Sequence, residues 1–119
     1  MLHKMRLQDE PFFMIKSGKK DIEMRLYDEK RSLIKIGDEI VFSRYGCDES
    51  ASETLICRVT GLHRFPSFAD LYAALPATRL GYTEESAANA SYLDMQKYYS
   101  PEEQARYGVV GIEIKLIQG

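Results

Sequence analysis

The sequence predicts a small α+β domain built on a curled, barrel-like sheet. Strand-like segments gather in residues 1–65 with one short helix among them, helix-like segments gather in 66–108, and a strand closes the chain. This segregation argues against a doubly wound parallel sheet, in which the two element types alternate. A length of 119 residues suits one domain, and a chain near this size buries roughly two-thirds of its unfolded surface. A sheet of about five strands also exposes two edges unless it curls toward closure.

The elements follow in order. Leu2–Leu7 reads as a first strand. Glu10–Gly18 reads as a short helix, with Pro11 in its first turn, Gly18 at its exit, and Phe12 and Ile15 three apart on its core side. Asp21–Tyr27 alternates strictly, with Ile22, Met24 and Leu26 on one face and Asp21, Glu23, Arg25 and Tyr27 on the other. Asp28–Ser32 reads as a polar connector. Gly37-Asp38 signals a turn into the strand Glu39–Arg44. Tyr45–Glu53 is expected to be a loop, and Thr54–Phe65 a long strand bent at Gly61. Ser67 caps a helix over Phe68–Leu75, with Asp70 at its third position. Pro76–Tyr82 is a loop, Thr83 caps a short turn through Glu84–Ala90, and Ser91 caps a helix over Tyr92–Tyr99. Ser100-Pro101-Glu102-Glu103 combines an N-cap Ser, Pro at the first position and Glu at the third. Val109–Ile117 alternates again and closes the sheet.

Apolar residues make up 45% of the chain and charged residues 29%, the composition of an ordinary globular protein. No run approaches the ~20 apolar residues of a membrane span, and nothing suggests export. Cys47 and Cys57 are not spaced as CxxC and read as free thiols of a reducing cytoplasm. With only two histidines besides, a zinc site is not expected, nor is any other metal or cofactor. The net charge of −2 excludes a uniformly basic nucleic-acid binder. Residues 1–36 nevertheless carry nine Lys and Arg against six Asp and Glu, whereas the remainder carries seven against twelve. Such asymmetry fits one face for an anionic partner, and equally an uneven solvated surface.

The densest chemical signal is Gly18-Lys19-Lys20-Asp21-Ile22-Glu23-Met24-Arg25. A helix-ending glycine lets the chain reverse sharply. Lys20 then falls at the entry to a strand from which Glu23 and Arg25, two apart, project the same way. If this face lines a cleft, it presents an ammonium, a carboxylate and a guanidinium together. Arg takes phosphate or carboxylate bidentately and Lys acts as a point charge. Glu23 can orient Arg25 or accept from a base or ribose donor. A solvated surface pair, worth under ~1 kcal/mol, accounts for the spacing as well.

The run Gly18-x-Lys20-x-x-Glu23-x-Arg25 resembles the GxKxxExR signature of the ASCH (activating-signal-cointegrator homology) family at all four positions. Pro11-Phe12 with Ile15, Gly37-Asp38 with Ile40 and Phe42, Tyr98-Tyr99 and Val109–Ile114 extend the likeness over almost the whole chain, which resembles small stand-alone bacterial members. The resemblance implies a PUA-like β-barrel of about five or six strands with flanking helices. It also implies a cleft lined by the signature and an RNA, nucleotide or nucleoside ligand. One branch of the family hydrolyses the acetyl amide of N4-acetylcytidine, and ribonuclease activity is proposed for others. In that amidohydrolase branch a threonine nucleophile stands where this chain has Glu23, beside the lysine, and a downstream glutamate completes the set. Glu84 or Glu85 is the candidate for that last role here. The expected ligand-binding set is Gly18, Lys20, Glu23, Arg25 and Arg44. If the protein is an enzyme, Lys20 and Glu23 are the acid/base pair. A protein-interaction module, with the signature serving only the barrel, is the remaining alternative.

No Ser-His-Asp or Cys-His arrangement is evident. His3 and His63 read as structural or surface residues, Cys57 as a core thiol, and Cys47 as a loop residue. Tyr27, Arg44, Tyr45, Arg64 and Phe65 are candidates to extend the cleft, because single-stranded RNA is held by aromatic and Arg planes. Phe65, Phe68 and Tyr72 read mainly as core, and Tyr98, Tyr99 and Tyr107 as packing residues. Thr78–Tyr82 is placed as a loop over the cleft.

Overall fold

Alternating apolar segments build the sheet, seen in a computed structural model that describes residues 1–46 and 53–119. The strands are β1 (Leu2–Leu7), β2 (Ile22–Leu26), β3 (Glu39–Arg44), β4 (Leu55–Phe65) and β5 (Val109–Gln118). They form one five-stranded sheet in the order β1-β3-β4-β5-β2. The β1–β3 pair is parallel and the others are antiparallel. The sheet curls into a half-barrel, so β1 and β2, which are its two edges, approach one another across a seam. The register of β4 against β5 shifts between Val59 and Gly61, as a bend at Gly61 requires. A side chain on Gly61 would meet Glu113 Cβ at 3.2 Å, so the two strands need the glycine to cross closely.

Two apolar clusters follow from the alternation. Met5, Leu7, Ile40, Phe42, Cys57, Val59, Val110 and Ile112 fill the half-barrel, joined by Phe12 and Ile15 of helix α1 (Asp9–Lys16). Ile22, Met24 and Leu26 face the other way and pack with Phe68 and Leu71 of α3 (Phe68–Ala74), Leu80 and Met95. Strand β2 is thus buried on both faces. Burial pushes the Cys57 thiol up to about 11, as expected of a core thiol. Cys47 and the expected loop's residues 47–52 lie outside the described residues.

Local signals placed most helices. Ser67 caps α3 by accepting from Asp70 N–H at 3.3 Å. Helix α4 (Pro101–Tyr107) opens on a complete capping box, with Ser100 Oγ accepting from Glu103 N–H and Glu103 Oε1 accepting from Ser100 N–H. Two expectations need correction. The polar connector contains a one-turn helix, α2 (Glu29–Ser32), capped by Asp28, which accepts from Arg31 N–H. The helix expected over Tyr92–Tyr99 is a 3-10 turn over Tyr92–Lys97. Its bonds run three residues back, as from Asp94 N–H to Ser91 carbonyl and Tyr98 N–H to Met95 carbonyl, and Ser100 is extended ahead of Pro101, which ends the helical stretch. The segment after Thr83 likewise forms a 3-10 turn, Ser86–Asn89, as a short capped turn should. Among the described residues no helix is long and apolar enough to cross a membrane.

Candidate functional site

The signature residues occupy the seam. Gly18 takes φ +80° at the end of α1, and Lys19 and Lys20 N–H both donate to Met14 carbonyl at 2.9 and 3.2 Å. This tight exit delivers Lys20 to the start of β2. Glu23 and Arg25 lie opposite Ile112 and Val110 in the register with β5, so they project toward the interior of the half-barrel. All three charged residues are buried: Lys20 is 7% exposed, Glu23 4% and Arg25 9%.

The carboxylate joins the two cations. Lys20 Nζ lies 2.9 Å from Glu23 Oε1, and Arg25 Nε donates to Glu23 Oε2 at 2.8 Å. Burial alone would raise the Glu23 carboxyl, but Lys20 and then Arg25 outweigh it and hold the group below its usual value. Arg25 also donates from Nη2 to the carbonyl of Arg6 at 2.9 Å. That bond runs from one edge strand to the other and fastens the seam. Among the described residues Lys20 has no partner for its other two ammonium hydrogens and Arg25 Nη1 donates to nothing.

These groups form the floor of a cleft of about 400 Å³. Pro11 and Met14 of α1 contribute one side, and Leu80, Gly81 and Tyr82 the other. Tyr45, Tyr72, Tyr98 and Tyr99 add aromatic walls. Tyr82 O–H donates to Asp94 Oδ2 at 2.6 Å and lies 2.9 Å from Tyr72 Oη. Burial, followed by these neighbours, raises the Tyr82 hydroxyl, so the phenol keeps its proton. The Thr78–Tyr82 loop is held over the cleft by Arg79, which donates from Nε and Nη2 to Asp21 at 2.8 and 3.1 Å. Gly81 takes φ +112°, and a side chain there would meet Lys20 Cδ at 3.2 Å.

Lys20, Glu23, Arg25 and Tyr45 line the cleft together. Gly18 acts through its turn and is not among the lining residues. Arg44 turns to α1, where its guanidinium packs over Phe13 at 5.2 Å and Phe12 at 5.6 Å, with Asp9 3.7 Å away. It does not line the cleft. Tyr27 and Arg64 stack on each other at 3.8 Å, and Phe65 packs with the second apolar cluster. Glu84 and Glu85 are exposed and do not line the cleft; its acid from that region is Asp94. Tyr99 stacks on Phe68 at 5.7 Å as a packing residue should, yet it also borders the cleft, as does Tyr98, which is 59% exposed. Sequence reasoning did not single out Tyr82 or Asp94 as partners, or Arg6 as a cleft residue. The only available signal was the tyrosine density of residues 82–99. His3 pairs with Asp38 at 2.8 Å and His63 with Glu113 at 3.2 Å, both away from the cleft. Among the described residues no group of three or more His, Cys, Asp or Glu is placed to hold a metal ion.

Residues 5–118 match the ASCH domain family. The chain belongs to that family. Two solved structures of similar length agree with the assignment. The crystal structure of the hypothetical protein PH0355 is 35% identical, covers 98% of this chain and 100% of its own, and has a TM-score of 0.79. The solution structure of protein PF0455 from Pyrococcus furiosus is 33% identical, with 100% of both chains covered and a TM-score of 0.70. The crystal structure of ASCH from Zymomonas mobilis is 15% identical, covers 96% of this chain and 66% of that one, and has a TM-score of 0.61. At that identity the likeness is one of fold. No curated protein matches the chain. The ASCH half-barrel and its helices therefore agree with the architecture read from the sequence.

Proposed function

We propose that this ASCH protein binds a nucleotide or a short single-stranded RNA in the cleft between α1 and the Leu80–Tyr82 loop. The observation that carries this reading is the buried Lys20–Glu23–Arg25 triad at the floor of an aromatic-walled cavity. A cavity of about 400 Å³ falls within the usual small-ligand range. Burying three charges costs several kcal/mol per ion after relaxation, only partly returned by their pairing. Such an arrangement is therefore a poor device for stability alone. It suits a pre-set recognition surface, in which Glu23 orients both cations before the ligand arrives. Lys20 Nζ meets a phosphate or carbonyl oxygen, Arg25 Nη1 a phosphate or base edge, and the tyrosines offer faces to a base.

The hydrolytic reading is supported less well. Glu23 offers no hydroxyl, and two cations hold it ionised, which makes it a weak proton acceptor near neutral pH. Titration of the protein with a panel of nucleosides, nucleotides and short oligoribonucleotides, followed by NMR, tests the proposal. Shifts should centre on residues 18–25, Tyr45 and Tyr82. A Lys20→Ala protein that kept full affinity for every ligand found would defeat the reading. Product from an acylated cytidine or a cleaved oligoribonucleotide would move the function to hydrolysis.

A further inference from the structure

A second hollow, of about 270 Å³, lies beside the Arg25–Arg6 bridge, with Lys4, Arg6, Arg25, Lys30 and Arg31 on its walls. Ser43 and Tyr45 line it as well, and among the described residues no acidic side chain does. The cations come from three separate elements: Lys4 and Arg6 alternate outward from β1, Arg25 belongs to β2, and Lys30 and Arg31 sit on α2. Among the described residues Lys4, Arg6 and Lys30 form no ion pair. Arg31 pairs with Asp28 through Nη1, but its Nε is buried without a partner among the described residues. This concentration is not a consequence of composition, since the chain as a whole is acidic at −2. Like charges gathered around one hollow repel unless an anion lies between them. Arg6, Arg25 and Tyr45 border both hollows, so the groove continues the cleft across the seam.

We propose that this groove holds the phosphodiester backbone of a single RNA strand, one residue of which occupies the cleft. The inference rests on the cleft reading and narrows it: the ligand is an oligonucleotide, not a free nucleoside or mononucleotide. Lys4 and Lys30 are backbone contacts without base selectivity, and Arg25 joins the two compartments.

The test uses the full chain, with a random-sequence hexaribonucleotide pool, mononucleotides and inorganic phosphate as probes. The wild type should bind the hexamers at least tenfold more tightly than any mononucleotide. The double variant Lys4→Ala/Lys30→Ala, altered at two exposed side chains, should lose about tenfold in hexamer affinity at low salt and keep its mononucleotide affinity. Its log–log salt slope should become shallower by roughly 1.4, about 0.7 for each lost single-strand phosphate contact. Equal hexamer binding by variant and wild type would overturn the groove and leave the cleft standing, provided that Lys20→Ala still weakened both probe classes. Inorganic phosphate displacing the hexamers at the concentration of a mononucleotide would also overturn it, making the groove a free-anion site. A wild type that bound neither hexamers nor mononucleotides would overturn both readings.

Discussion

Glu23 carries a cation on each of its two oxygens, and much of the site's behaviour follows from that single side chain. In Glu23→Gln the two buried cations lose their shared counter-charge. The variant should be destabilised by about 3–5 kcal/mol, the cost of breaking a buried pair, measured by urea unfolding at neutral pH. The folded carboxyl is held below its ordinary value of 4.5. Its contribution is therefore complete above that value and is lost as pH falls through the lower folded value. The wild type should lose stability steeply below about pH 4.5, and the variant should show a shallower acid limb. Parallel acid limbs would show that other carboxylates dominate. The pairing of Glu23 with Arg25 was legible in the sequence because two residues apart on a strand share a face. The burial of the pair was not, since the same spacing serves solvated pairs equally.

The loop over the cleft depends on two local devices. Arg79 ties it to Asp21, and Gly81 lets it pass against the Lys20 side chain. Gly81→Ala should strain the backbone at φ +112° and push Lys20 away from Glu23. Ligand affinity should fall by more than tenfold, while overall stability falls by only about 1–2 kcal/mol. Calorimetric titration against thermal unfolding separates the two effects. A third device joins the helices. Buried Gln104 of α4 accepts from Phe68 N–H at 3.1 Å through Oε1, satisfying the first turn of α3. Gln104→Ala leaves that donor unpaired and should cost about 1–3 kcal/mol, read from the shift in the denaturant midpoint. Capping residues announced α3 and α4 because they act within four residues. Gln104 acts across 36 residues and gave no local signal.

Across the whole molecule, the curl of the sheet makes the site. Strands β1 and β2 are separated in the chain only by α1, yet they end as opposite edges of one sheet. Arg25 then bridges them through Arg6 carbonyl, so one residue serves both closure and recognition. In Arg25→Met the seam should loosen. Amides of Leu2–Leu7 and Ile22–Leu26 should exchange with solvent disproportionately faster than those of Leu55–Phe65 and Val109–Gln118, which have a strand on either side. A uniform acceleration would mean that the bridge adds stability without fastening the edges.

Composition and alternation were enough to separate strands from helices, to orient both faces of β2 and to bring forward Lys20, Glu23 and Arg25. These properties depend on neighbours a few residues apart. The pairing order of the strands, the partnership of Tyr82 with Asp94, the turning of Arg44 onto Phe12 and Phe13, and the gathering of Lys4, Arg6, Lys30 and Arg31 in one groove arose only in three dimensions. Each joins segments that the curl of the sheet, the packing of α1 or the folding back of residues 82–94 brings together, and no local periodicity records which segment a side chain will meet.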